Sequence, residues 1–105
     1  MKEPNESYIK QLSGDNAEFR AKIISVIKKE LPEEITAYKA TLNANQLQQA
    51  ASCVHKLKHK ISVLGMEKSY YIAEEFEINL LKQSTDLQVE FENILNSMQQ
   101  FVDQL

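Results

Sequence analysis

The chain contains little glycine, proline or cysteine and no tryptophan. Its 105 residues include only 2 Gly, 2 Pro and 1 Cys, whereas Leu, Ile, Ala, Lys, Glu and Gln are plentiful. So few turn-forming residues favour long helices over strands and tight turns. At this length we expect one domain, residues 1–105, with one hydrophobic core. We therefore predict an all-α domain.

Three further absences exclude classes of protein. The single Cys53 cannot form an internal disulfide and has no second thiol for a zinc pair, so it is interpreted as a packed side chain. The net charge of −3 disfavours general nucleic-acid binding, which needs an excess of Lys and Arg. No apolar run approaches the roughly 20 residues that span a bilayer, and the start lacks the apolar core of a secretion signal. We expect a cytoplasmic protein that binds neither nucleic acid nor membrane.

The N-terminal part predicts a short helix followed by a longer one. Residues 1–6 are polar and are expected to fray, and the short helix after them should end at Gly14. Asp15 with Glu18 three residues later is an acidic capping pair, which predicts the start of the second helix. Pro32 within that helix allows either a kink or a restart.

Three more amphipathic helices follow. Asn45 with Gln48 repeats the cap signal and opens the third helix, which Gly65 ends as a left-handed C-terminal residue. The fourth helix is predicted over residues 66–80 and the fifth over residues 87–105. Four helices with short connections bury their apolar stripes most simply as an antiparallel bundle, with the N-terminal helix as an additional short element.

Aromatic and acidic residues have simple structural interpretations. Five aromatic residues at helical core spacings are predicted to pack inside: Phe19, Tyr38, Phe76, Phe91 and Phe101. Tyr70 and Tyr71 are adjacent and cannot both face the core, so one should lie near the surface. The acidic residues of the second and fourth helices are interpreted as a solvated face.

One face of the third helix collects polar and basic residues. Four side chains recur there at spacings of three and four, away from the apolar stripe: His55, Lys58, His59 and Ser62. Lys56 and Lys60 add to the positive charge of this stretch. An imidazole can hold a phosphoryl group covalently, and a Lys one turn away can neutralise phosphate oxygens. The pattern therefore indicates a phosphoryl-carrying histidine at His55.

The segment His55-Lys56-Leu57-Lys58, followed by Gly65, resembles the signature of histidine phosphotransfer (HPt) domains of bacterial phosphorelays. Other features are similar too, and together they cover residues 7–105: Gly14-Asp15 with Glu18-Phe19, Leu31-Pro32, the Asn-rich bend before the third helix and the closing amphipathic helix. The resemblance implies that His55 is phosphorylated, that Lys58 stabilises the phosphate, and that Gly65 ends the histidine helix and permits its packing.

The resemblance also implies partners. They are response-regulator receiver domains, which supply the aspartate and its Mg²⁺, and an upstream (hybrid) histidine kinase. The chain itself should need no cofactor and, without a glycine-rich phosphate loop, should have no ATP-dependent kinase activity. We expect a monomer, because an exposed relay residue must visit two partners in turn. The initial Met favours a standalone protein.

The docking surface implied by the resemblance consists of Lys56, His59, Ser62 and Ala51. His59 departs from the family pattern, which usually has Gly directly after the Lys. A place at the rim of the docking surface is the first interpretation of His59, ahead of contact with the phosphate or a second phosphorylation site.

Two alternatives remain open. The chain could be a docking or adaptor module of the same fold whose histidine carries nothing. His55 and His59, at positions i and i+4, could also face one metal ion, but the surrounding lysines would repel a cation and no third ligand follows on this face, so no metal site is predicted.

Overall fold

A computed structural model of the protein describes residues 4–105 and contains, within them, five helices and no strand. The helices are α1 (Ser7–Ser13), α2 (Ala17–Asn43), α3 (Leu47–Val63), α4 (Glu67–Leu81) and α5 (Gln88–Asp103). Each of the four long helices packs against the next, α2 closes the ring against α5, and α1 lies on α2. The predicted all-α bundle with a short extra N-terminal helix is confirmed.

The longest helix sets the shape of the bundle. At a rise of about 1.5 Å per residue, the 27 residues of α2 span about 40 Å. The whole molecule measures 45 × 23 × 19 Å. Pro32 lies inside α2, which continues through it, so neither a break nor a restart divides the helix there. None of the helices between residues 4 and 105 has the length and apolarity required to cross a bilayer.

Three aromatic rings from different helices meet in the core. Tyr38 lies 6.3 Å from Phe76 and 5.2 Å from Phe91, centroid to centroid, with both pairs edge to face. The rings of Phe76 and Phe91 are 5.1 Å apart. All three residues are fully buried, as predicted, and they join α2, α4 and α5.

The other aromatic predictions have mixed outcomes. Phe101 packs against the core while partly buried, and Tyr71 lies at the surface beside the half-buried Tyr70, as expected. The prediction for Phe19 was wrong, because this residue is 44% exposed in the first turn of α2. Cys53 is a free thiol, half-buried against the core, as interpreted from the sequence.

Two predicted helix caps were wrong by one residue. Asn16, not Asp15, caps α2, because its side-chain Oδ1 accepts a hydrogen bond from the backbone N–H of Phe19 at 2.9 Å. Asn45 does not cap α3. It has a φ of 57° and forms the left-handed residue of the bend, while Gln46 occupies the cap position without a side-chain hydrogen bond.

The N-terminal segment is attached to the end of the histidine helix. The backbone N–H of Asn5 donates to the carbonyl oxygen of Leu64 at 2.8 Å. Gly65 has a φ of 74°, and a Cβ there would lie 2.6 Å from Oδ1 of Asn5. Of the predicted frayed segment, residues 1–3 lie outside the described residues, whereas Asn5 is held in place. Gly65 therefore ends α3 and also makes room for the N-terminal segment.

Candidate functional site

His55 lies in the middle of α3, on an exposed face beside the buried stripe of that helix. The stripe consists of Leu47, Ala50, Ala51, Val54, Leu57, Lys58 and Ile61. The His55 side chain is 56% exposed, so a partner molecule can reach its ring. Helical periodicity is the reason, because a residue one position after the buried Val54 is turned by about 100° away from the core.

A carboxylate from α4 holds one nitrogen of this ring. Nδ1 of His55 lies 3.2 Å from Oε2 and 3.4 Å from Oε1 of Glu77. An ionised carboxylate can only accept hydrogen bonds, so this contact requires the proton on Nδ1. In the neutral imidazole the other nitrogen, Nε2, then keeps its lone pair. The geometry thus leaves Nε2 as the nitrogen of His55 with a free lone pair.

The same carboxylate holds Lys58. Nζ of Lys58 lies 2.9 Å from Oε1 of Glu77 and 5.5 Å from the ring centroid of Tyr70. Lys58 was predicted to share an exposed face with His55, but it is only 8% exposed because its side chain turns towards α4. Glu77 therefore bridges Lys58 and His55, and it balances the lysine charge within the site.

The other two lysines of α3 are directed to α2. Nζ of Lys60 lies 2.9 Å from Oε1 of Glu30 and 3.2 Å from Oε2 of Glu34. Burial alone would lower the pKa of Lys60, but the hydrogen bonds to Glu30 and Glu34 outweigh it and raise that pKa. The hydrogen bond from Lys60 also lowers the pKa of Glu30. Lys56 is exposed and borders a cavity that includes Glu33 and Glu34.

These ion pairs correct the interpretation of the acidic residues as a solvated face. Glu77 and Glu34 are each largely buried, with side chains 19% and 20% exposed, and both bind lysines of α3. The three lysines of α3 therefore do not form a continuous positive surface. Lys58 and Lys60 are paired, and only Lys56 keeps an exposed ammonium.

His59 and Ser62 are exposed beside His55. The rings of His55 and His59 are 5.4 Å apart and perpendicular. On one side His59 borders the tyrosine cleft, a depression lined by Tyr8, Ser62, Gly65, Glu67, Tyr70 and Tyr71. On the other side it borders the α2–α3 groove, which is lined mainly by apolar side chains: Phe19, Lys22, Ile23, Val26, Ile27, Glu30, Lys60 and Val63.

Ala51 does not belong to this surface. It was assigned to the docking residues because it lies one turn before His55, but it is only 2% exposed and forms part of the core. An alanine at that depth offers a partner almost no area.

The sequence reasoning missed Glu77 and Tyr70. The hairpin of α3 and α4 turns at Gly65, and His55 and Glu77 lie at similar distances before and after that turn. Counting outwards from the turn of an antiparallel pair would have brought Glu77 beside His55. Tyr70 is two helical turns before Glu77 on the same face of α4, at spacing i and i+7.

The described residues contain no group of three or more His, Cys, Asp or Glu side chains placed to hold a metal ion. A four-helix bundle with an exposed histidine, and a lysine and a glutamate beside it, is suited to a protein that carries a group on an imidazole.

A comparison with family models identifies the family of the chain. The model of the Hpt domain matches residues 22–105, and the chain belongs to this family. Hpt domains are phosphocarriers of two-component phosphorelays rather than kinases, and they interact with receiver domains and histidine kinases. No curated protein and no solved structure matches the chain significantly.

Proposed function

We propose that this protein carries a phosphoryl group on Nε2 of His55 and exchanges it with an aspartate of a response-regulator receiver domain. The observation that supports this most directly is the state of the His55 ring. It is exposed to partners, and its Nδ1 is bound to Glu77, so Nε2 is available for bonding to phosphorus.

In the forward transfer the Nε2 lone pair attacks the phosphorus of an aspartyl phosphate on the receiver. The bond between phosphorus and the aspartyl oxygen breaks, and the aspartate leaves as a free carboxylate. The imidazole gains positive charge as the new N–P bond forms, and Glu77 stabilises that charge through the Nδ1–H hydrogen bond. The reverse transfer passes through the same steps in the opposite order.

Lys58 has the role of neutralising the phosphoryl oxygens in this proposal. Its ammonium lies on Glu77, next to His55, and a small change of its side-chain torsions would bring it towards a phosphoryl group on the ring. Phosphoryl transfer depends mainly on alignment and on neutralising charge. The receiver would supply the remaining cation, a Mg²⁺ ion held by its own acidic pocket.

The docking surface would surround His55. The exposed Lys56, His59 and Ser62 form its polar part, and the exposed side chains of Phe19 and Val26 in the α2–α3 groove extend it with apolar area. An upstream histidine kinase would load the same histidine through this surface. We further propose that the protein acts as a monomer in the cytoplasm, since a stable dimer across this face would cover His55.

The experiment is phosphotransfer from a radiolabelled receiver to wild type and to His55→Asn. The Asn amide can still donate to Glu77, so the variant keeps the local hydrogen bond while it lacks Nε2. We expect the wild type to acquire acid-labile, base-stable label and the variant to acquire none. Label on the variant would contradict the assignment of His55. A wild type that binds the receiver without ever acquiring label would support the adaptor alternative.

A further inference from the structure

The cationic side chains near His55 are mostly occupied. Lys58 is paired with Glu77 and largely buried, and Lys60 is paired with Glu30 and Glu34 on the far side of α3. Lys56 borders the cavity next to Glu33 and Glu34, also towards α2. A dianionic phosphoryl group on Nε2 of His55 would therefore have Lys58 as its one nearby lysine, and the charge of Lys58 is shared with Glu77.

His59 is placed differently. It is exposed, lies one helical turn after His55, and its ring is 5.4 Å from the His55 ring at an angle of 89°. Among residues 4–105 it has this aromatic contact but no hydrogen-bond partner. Because His59 has no such partner, its side chain can change rotamer without breaking a hydrogen bond. A ring N–H of His59 can then reach an oxygen of a phosphoryl group on His55.

We propose that His59 binds the phosphoryl group carried by His55 by donating a ring N–H to a phosphoryl oxygen, and that it binds most strongly when its imidazole is protonated. This inference deepens the proposed function and rests on it for the identity of the phosphorylated residue. Its consequence is that phospho-His55 is retained more firmly when His59 is charged. A charged imidazole attracts a phosphoryl dianion more strongly than a neutral one, so the retention would depend on pH.

The groups that face His59 come from four helices. On α3 they are His55 and Lys60, and on α1 the phenol of Tyr8. A longer set faces it from α2 and α4: Lys22 and Glu30 across the α2–α3 groove, and Glu67, Tyr70 and Tyr71 across the tyrosine cleft. Lys60 and Glu30 are paired with each other, so their charges largely cancel at His59. The phosphoryl group would thus be the dominant new charge beside this ring.

The test uses the full chain, loaded without any partner protein. Phosphoramidate is a small donor. Its N–P bond breaks as Nε2 of His55 bonds to phosphorus, and its protonated amine leaves as ammonia. After the donor is removed, ³¹P NMR follows the decay of phospho-His55 at about pH 6 and about pH 8.5, on either side of the histidine range. The variants are His59→Gln, which is neutral at both pH values, and His59→Lys, which is charged at both.

We expect wild type to lose its phosphoryl group about two- to fivefold more slowly than His59→Gln at the lower pH, the range typical of an exposed charge pair. At the higher pH wild type and His59→Gln should decay alike, while His59→Lys should stay slow at both. A purely structural role for His59 would not produce this crossover. Equal decay of wild type and His59→Gln at the lower pH overturns the inference, and so does a phosphoryl group found on His59 itself.

The two proposals fail in different ways. If phospho-His55 shows the expected crossover but never exchanges with a receiver, the proposed function is wrong and the role of His59 stands. If exchange with a receiver occurs and the crossover is absent, the proposed function stands and the role of His59 is wrong.

Discussion

Glu77 connects the two side chains on which the proposed chemistry depends. Its carboxylate accepts hydrogen bonds from Nδ1 of His55 and from Nζ of Lys58. These contacts determine which imidazole nitrogen has a free lone pair and where the lysine ammonium lies. Neither effect can be inferred from a His-x-x-Lys spacing on one helix. At the scale of the residue, the site is therefore built from two helices rather than from one motif.

We expect Glu77→Gln to slow phosphotransfer by about fivefold. The change replaces the charge-assisted hydrogen bond to His55 by a neutral one. Because the His55 ring is exposed, the net contribution of that bond is about 1 kcal/mol. ¹⁵N NMR of the His55 ring should also show a smaller fraction of the Nδ1–H form. The measurements are the transfer rate from a labelled receiver and the ring ¹⁵N shifts.

Glu75→Gln is the matched control for this change, since Glu75 is an exposed glutamate two residues before Glu77 and therefore lies on the opposite side of α4. It removes the same charge from α4 and should leave both readouts as in wild type. If the two variants lower the rate equally, the effect is one of overall charge and Glu77 does not position His55.

At the scale of the helix, the end of α3 is fixed by two features at Gly65. Its backbone has a φ of 74°, which suits glycine, and the Asn5 side chain occupies the space where a Cβ would be. The hydrogen bond from Asn5 to Leu64 closes the contact between the N-terminal segment and the histidine helix. The glycine of the family signature therefore has a packing role at the end of α3.

We expect Gly65→Ala to lower the free energy of unfolding by about 1–2 kcal/mol from the left-handed backbone alone, and by more because of the collision with Asn5. The double variant with Asn5→Ala should recover the second part. Urea unfolding followed by circular dichroism measures all the variants.

Gly14 supplies the control pair for this cycle. It also has a positive φ, but nothing lies within 4 Å of a Cβ built on it. The effects of Gly14→Ala and Asn5→Ala should therefore simply add. Additivity in the Gly65 pair as well would show that Asn5 does not restrict Gly65.

The helix pattern could be predicted from the sequence because it depends on local spacing. Apolar residues at intervals of three and four place five helices, and the positions of Gly14 and Gly65 mark their ends. The caps at Asn16 and Gln46 were missed by one residue, because several capping residues stand side by side and backbone torsions decide among them. Glu77 and the burial of Lys58 were missed because they depend on contact between helices.

In the whole molecule, the aromatic cluster that stabilises the bundle lies on other helices than His55. The three core rings join α2, α4 and α5, whereas the exposed histidine lies on α3, between its two neighbours in the ring. Changes in the aromatic cluster should therefore act on stability of the entire bundle. They should affect phosphotransfer only through the fraction of molecules that is folded.

Tyr38 gives this core a dependence on alkaline pH. Burial raises the pKa of the Tyr38 phenol above its ordinary value, and the carboxylate of Glu92, which accepts its hydrogen bond at 3.1 Å, raises it further. The unfolded chain ionises this phenol near pH 10 and the folded chain does not. The stability that depends on the neutral phenol is therefore fully present below about pH 10 and declines above it, by about 1.4 kcal/mol per pH unit.

We expect Tyr38→Phe to remove most of this decline, since the variant has no phenol to ionise, while Glu92 keeps its hydrogen bond from Gln88. Some decline should remain, because the pKa of Lys60 is also raised and its ion pairs are lost as the pH rises through that value. Urea unfolding between about pH 8 and pH 11 checks both parts. Curves that fall equally for wild type and Tyr38→Phe would mean that the alkaline loss originates in the lysine pairs between α2 and α3 and not in the aromatic core.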